Sequence, residues 1–280
     1  MRLVRVGPAG EERPGVLVGD DSYVDVSDRF TDYDGEFFAG GGLSELARTL
    51  SDYDRSQPLD GIRIGPPIAR PHQILCVGLN YAEHAAESGS TVTTEPVIFT
   101  KAPNSMSGPF DPVVSPVGGT KLDYEVELGV VIGVRSSHLR DDASAAAAIA
   151  GFVAVNDVSE RAFQLEREGQ WVKGKSCPTF NPCGPVLATP DEVGDWQDLE
   201  LWLTVNGEKR QSSSTRFMVH DVIAIVRYLS QFMVLEPGDL INTGTPAGVA
   251  LGRADGSYLN RGDVIELGIT GLGTQRTVVV

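Results

Sequence analysis

The chain has 280 residues, 41% of them apolar and 22% charged, and a formal net charge of −15. That length allows one large domain, or a small one beside a larger one, with a substantial core. The composition excludes a disordered chain, and the acidity argues against nucleic acid or an anionic membrane surface as a partner.

The 32 glycines stand well above the usual share of ~7% and point to many tight turns between short strands. No run approaches the ~20 apolar residues of a membrane span, and the start lacks a signal-peptide core. Cys76, Cys177 and Cys183 make an odd count without C-x-x-C spacing, so neither disulfides nor structural zinc are expected. A cytoplasmic location is the matching expectation.

Residues 1–70 read as a small N-terminal α/β region. LVRV, GVLVGD and SYVDVS have the pattern of three short strands; GGLSELARTL reads as a helix opened by Ser44 or the glycines before it. The Pro-rich IRIGPPIARP links this region to residues 71–280. There, QILCVGLN reads as an apolar strand ending at Asn80, and YAEHAAESG as a helix capped by Asn80 and ended by Gly89. His84 and Glu87, three apart, share a helical face. A carboxylate beside an imidazole fixes its tautomer and raises its basicity, as a general base for water requires; the alternative is an exposed polar pair.

After the strand and loop of PVIFTKAPNSMSGPFDPVV comes KLDYEVELGVVIGV, residues 121–134. Strand alternation puts Val126, Leu128, Val130 and Ile132 on one side and Asp123, Glu125 and Glu127 on the other. Glu125 and Glu127 are separated by about 6.5–7 Å of strand rise, so their carboxylates can converge. Unpaired charges ~5 Å apart repel by roughly 3 kcal/mol at an effective dielectric near 20. Two readings stay open here: a polar face in water, or a cation between the carboxylates. DDASAAAAIA (141–150) reads as a helix, GFVAVND as a strand ending at Asp157, and SERAFQLERE (159–168) as a helix capped by Ser159. Asp157 is either a ligand or that helix's cap. Arg161 and Gln164 share a helical face.

GQWVKGKSCPTFNPCGPVL carries Lys173 and Lys175 in a Gly/Pro-rich loop, either solvated or holding an anion. LELWLTVNGEKRQ reads as a hairpin with a type I′ turn at Asn206-Gly207, and HDVIAIVRYLSQFM as a core helix with Asp221 near its start. DLINTGTPAGVALG is a strand entering a Gly-rich turn where Thr243 and Thr245 offer donors to oxygen atoms, without phosphate-loop spacing. The last segment, GDVIELGITGLGTQRTVVV, reads as two strands around Gly271–Gly273. From residue 71 the pattern is α+β, a closed or rolled sheet with helical cover.

GLNYAEHAAE, PVIFTKAPNS, DYEVELGVVIG, VNDVSERAFQ, KGKSCPTFNPCGP, NTGTPAGV and GDVIELGITGLG, in this order, resemble the fumarylacetoacetate hydrolase family over most of residues 70–280. The resemblance implies a mixed β-roll, a homodimer, and one Mg²⁺ or Mn²⁺ held by Glu125, Glu127 and Asp157. Three hard oxygen donors suit these ions, whereas zinc would want nitrogen or sulfur. It also implies His84 and Glu87 as the water-activating pair, Lys175 as the catalytic lysine, and Arg161, Gln164 and Thr245 as substrate contacts. The wording SERAFQ, QWVKGKSC and STR is similar to bacterial sugar-acid 2,4-diketo hydrolases, and some relatives carry the label ureidoglycolate lyase. The implied reaction is hydrolytic C–C cleavage of a small 2,4-diketo acid to pyruvate and a second acid. Decarboxylation, isomerisation of a hydroxy-dienoate, or silent binding of a keto acid are the rivals. Where such sequences read K-S-[FC]-D, this chain has Pro178 after Cys177, which bears on the placement of Lys175.

Overall fold

A computed structural model describes residues 1–53 and 55–280. Its centre is the strand Val126–Ile132, buried along its whole length. Val126, Leu128, Val130 and Ile132 face one apolar cluster, together with Ile225 and Val226 of the helix Val222–Leu229. Val131 faces a second cluster that contains Leu3, Val16, Phe30, Tyr33 and Leu46. The expected alternation is present, but the sheet has apolar cover on both sides, so its polar positions have no bulk water to meet.

This strand lies inside a ten-stranded sheet. From one edge the order is Gln57–Pro58, Ser22–Asp25, Arg13–Leu17, Arg2–Val6, Leu187–Ala188, Ile149–Asn156, Val126–Ile132, Leu240–Asn242, Ile74–Gly78 and Val97–Lys101. Leu240–Asn242 runs parallel to Ile74–Gly78; the other neighbours are antiparallel. The sheet crosses the expected boundary at residue 70, because Arg2 pairs with Ala188 and Leu3 with Leu187. A second sheet of four strands is ordered Glu208–Ser214, Glu200–Val205, Val264–Ile269, Gly273–Val278. Its hairpin turns at Asn206 (φ 53°) and Gly207 (φ 77°), the left-handed pair that a type I′ turn requires. The large mixed sheet, the second sheet and few, short helices make the α+β architecture expected from the sequence. No helix among the described residues is long and apolar enough to cross a membrane.

Several local expectations shift. The helix expected over 141–150 spans Asp142–Ala147, because Ile149 already pairs with Ile132. The helix expected over 159–168 is Arg161–Leu165, and Glu160 rather than Ser159 caps it, accepting from the Ala162 N–H at 3.1 Å. Ser159 is held in a short ladder opposite Asp123, and its hydroxyl donates to the Asp157 carbonyl. Asn80 does not cap the helix Ala82–Glu87; its carboxamide spans the main chain of His220 and Thr243. Gly89 (φ 71°) does end that helix, with Ser90 N–H returning to the Ala85 carbonyl.

Candidate metal centre

Antiparallel register assembles the acidic group. Val155 pairs with Glu127 and Asn156 with Val126, so the chain leaving the strand Ile149–Asn156 puts Asp157 beside Glu125, whose carbonyl accepts the Asp157 N–H at 2.9 Å. Glu125, Glu127 and Asp157 are 4%, 2% and 0% exposed, which rules out the solvated reading of this face. Each offers a ligand oxygen within 4.8 Å of the others. Asp157 does not cap a helix; its oxygens accept from the Lys101 and Lys175 ammonium groups.

Cations pin this group from outside. Arg161 donates to Asp123 through Nε at 2.8 Å, to Gln164 through Nη1 at 3.0 Å and to Glu125 through Nη2 at 2.5 Å. Lys175 Nζ donates to Glu125 Oε2 at 2.6 Å and Asp157 Oδ2 at 2.8 Å. Burial works against an ionised Glu125, but Arg161 and Lys175 hold its carboxyl well below the usual carboxylate range. Burial also works against the charge on Lys175, yet Asp157 and Glu125 outweigh it and raise that ammonium above its ordinary value. Glu127 differs. Burial first, then the charges of Asp157 and Glu125, push it well above the usual range, and a backbone N–H from Gly244 at 2.8 Å is its hydrogen-bond donor.

That imbalance is the structural test of a metal. Three buried carboxylates, one of them destabilised by the other two, form a hard-oxygen donor set that a divalent cation would relieve. The set fits Mg²⁺ or Mn²⁺ and lacks the nitrogen and sulfur donors of a zinc site.

His84 and Glu87 stand one helical turn apart, with Nδ1 2.9 Å from Glu87 Oε1. Both Glu87 oxygens also accept the Gly248 N–H, at 3.1 and 2.8 Å, which fixes the carboxylate that orients the ring. His84, Glu125, Glu127, Arg161, Gln164, Lys175 and Thr245 line one cavity of about 120 Å³. Asp157 is wholly buried behind this lining, and Glu87, with its side chain 18% exposed, stands beside it. Leu79, at the cavity wall, has φ 58°, a left-handed conformation uncommon for a branched aliphatic residue.

Two expected contacts are differently employed. The Thr245 hydroxyl lines the cavity but spends its one proton on the Val126 carbonyl and accepts from Gln211. Thr243 likewise donates to Leu128 rather than facing the cavity. Pro178 is exposed and does not displace Lys175, which is 2% exposed and against the carboxylates. Lys173, by contrast, is exposed.

Sequence reasoning missed Lys101, Asp123 and Gly244. Lys101 Nζ is wholly buried against Asp157 and the carbonyls of Val158 (3.1 Å) and Phe180 (2.7 Å). Asp123 holds Arg161 and accepts the Ala250 and Leu251 N–H groups at 2.8 and 3.0 Å. The signal for Asp123 was available, since it shares the strand face of Glu125 and Glu127. For Lys101 the only hint was a charge closing the apolar run VIFTK.

A family model described as fumarylacetoacetate (FAA) hydrolase C-terminal matches residues 73–280. A Burkholderia multivorans protein carried under a general hydrolase name is 46% identical over 98% of this chain and 97% of its own length. Solved structures resemble the whole fold, two of them as follows. A probable 2-hydroxyhepta-2,4-diene-1,7-dioate isomerase from Mycobacterium abscessus is 35% identical, with a TM-score of 0.86 over 100% of this chain and 98% of that one. Maleylpyruvate hydrolase from Sphingobium sp. SYK-6, in complex with manganese(II) ion and pyruvate, is 28% identical, with a TM-score of 0.82 over 100% and 99%. The match over three quarters of its length, carried through the same strands that build the carboxylate group, makes this chain a member of the fumarylacetoacetate hydrolase family.

Proposed function

We propose that this protein is a divalent-metal-dependent hydrolase that cleaves the C–C bond of a 2,4-diketo acid, giving pyruvate and a second carboxylic acid. One observation carries the reading: a carboxylate-oriented imidazole opens into the same small cavity as a buried, frustrated acidic group. The cavity of about 120 Å³ is small beside the ~300–1,000 Å³ pockets of drug-sized ligands, which favours a short acid. The manganese and pyruvate in the maleylpyruvate hydrolase structure support the same direction.

Mg²⁺ or Mn²⁺ held by Glu125, Glu127 and Asp157 would supply a Lewis acid for the 2-oxo-acid end of the substrate. The chain's own groups do the rest. With Nδ1–H donated to Glu87, His84 presents Nε2 as the acceptor of a proton from water, and that water adds to the C4 carbonyl. Lys175, kept charged by Asp157 and Glu125, faces the negative charge that develops on the reacting oxygen. The C3–C4 bond then breaks; C4 leaves as the acid, and C3 takes the proton that completes the methyl of pyruvate. Gln164, its carbonyl oxygen engaged by Arg161, keeps its amide N–H groups for a polar substrate atom. Arg161, with three nitrogens engaged, acts chiefly by holding Glu125 and Gln164.

The test is a panel of short acylpyruvates and 3-deoxy-2,4-diketo sugar acids with Mg²⁺ or Mn²⁺. Loss of the enol absorbance with stoichiometric pyruvate is expected, and His84→Asn should lower kcat by ~10²–10⁴-fold. Released CO₂ would instead mark a decarboxylase. Conversion of a hydroxy-dienoate without release of pyruvate would mark an isomerase.

A further inference from the structure

We infer that Lys101 is a positioning residue that confines Asp157 to ligation through one oxygen, and that this restraint selects Mg²⁺ or Mn²⁺ over Ca²⁺. The inference rests on the metal centre proposed above. Each of the three carboxylates has one oxygen tied by a donor other than Lys175, and for Glu127 and Asp157 that donor lies outside the cavity lining. Arg161 Nη2 holds Glu125 Oε1, the Gly244 N–H holds Glu127 Oε2, and Lys101 Nζ holds Asp157 Oδ1. The opposite oxygens of Glu125 and Asp157 meet at Lys175, and Glu127 Oε1 takes no hydrogen bond among the described residues.

Lys101 is the tether open to a clean test. Its other two acceptors are main-chain carbonyls of Val158 and Phe180, so its position is fixed by the sheet edge that carries it. It does not line the cavity, and its three protons are spent on these partners. Arg161 by contrast also holds Asp123 and Gln164, and the Gly244 donor is main chain.

The consequence follows from ion size and coordination. Mg²⁺ demands near-octahedral ligation at about 2.0–2.1 Å and takes one oxygen per carboxylate; Ca²⁺ takes about 6–8 oxygens, often both oxygens of a carboxylate. Three carboxylates limited to one oxygen each give three protein ligands and leave open positions, a deficit for Ca²⁺ and not for Mg²⁺. Freeing Asp157 Oδ1 narrows that deficit by one oxygen. Loss of the Lys101 charge strengthens binding of every divalent cation alike, so the ratio of affinities isolates the restraint from the charge.

The experiment reads free Mn²⁺ by electron paramagnetic resonance at one pH, with Mg²⁺ and Ca²⁺ as competitors, for the wild type and Lys101→Met. The wild type should release Mn²⁺ to Mg²⁺ at lower concentration than to Ca²⁺. In Lys101→Met the Mg²⁺-to-Ca²⁺ preference should narrow by about tenfold or more. An unchanged ratio, with both affinities shifted together, overturns the inference. Circular dichroism reports whether the variant folds; should it not, the wild-type competition still decides, because Ca²⁺ displacing Mn²⁺ as readily as Mg²⁺ overturns the inference alone. A wild type that binds no Mn²⁺ sinks the metal centre itself, a result distinct from either.

Discussion

Glu127 differs from its two neighbours in what surrounds it. Glu125 has Arg161 and Lys175 as direct partners, whereas Glu127 has a single backbone N–H and two nearby negative charges. In the metal-free protein its carboxyl is therefore raised above the ordinary value of 4.5. Between that value and the raised one, the unfolded chain has released a proton that the folded chain keeps. Stability thus falls as pH rises through this window. Glu127→Gln removes the cost while its carbonyl oxygen still accepts from Gly244. The melting temperature of metal-stripped protein should rise with this substitution at pH 8 more than at pH 4. Mn²⁺ at a hundred times its Kd should stabilise the wild type by about 2.7 kcal/mol and the variant far less. An equal change at both pH values, read by thermal melts, would contradict this account.

At the scale of elements, the turn after Leu240–Asn242 supplies the one hydrogen-bond donor to Glu127 among the described residues. Gly244 has φ 100°, and a Cβ there would sit 2.7 Å from the Asn80 Cβ and 3.0 Å from the Val77 carbonyl oxygen. No side chain fits without moving the N–H that holds Glu127. Gly244→Ala should cost ~1–3 kcal/mol of stability and lower Mn²⁺ affinity by ~10–100-fold. Gly207→Ala, at the hairpin turn with open space around it, should cost ~1–2 kcal/mol and leave Mn²⁺ affinity alone. Calorimetric titration of both variants separates a strained turn that serves the centre from one that serves only its hairpin.

At the scale of the molecule, residues 1–70 are stitched into the catalytic sheet. Arg2–Val6 pairs with Leu187–Ala188, which in turn pairs with Ile149–Asn156, the strand that delivers Asp157. Leu3, Val16, Phe30, Tyr33, Phe37 and Leu46 also cover Ile74, Cys76, Val131, Val153 and Leu240. A chain beginning at residue 71 would expose that face and an unpaired strand edge. It should express as insoluble or molten protein, without near-ultraviolet circular dichroism. A soluble truncation with a cooperative melt and Mn²⁺ binding would establish an independent domain instead.

Backbone periodicity alone put Glu125 and Glu127 on one face of a strand and His84 beside Glu87 on one face of a helix, because both spacings follow from local geometry. The Asn206-Gly207 turn was legible for the same reason, and the family wording carried Asp157 and Lys175. Tertiary structure decided what no local spacing contains. It placed the strand between two apolar layers, which turned a solvated polar face into a buried acidic group. It brought Lys101 to Asp157 across 56 residues and Gly244 to Glu127 across 117. It also employed Asn80, Thr245 and Arg161 in framing the site, since a buried polar group bonds to whatever the strand order sets within reach.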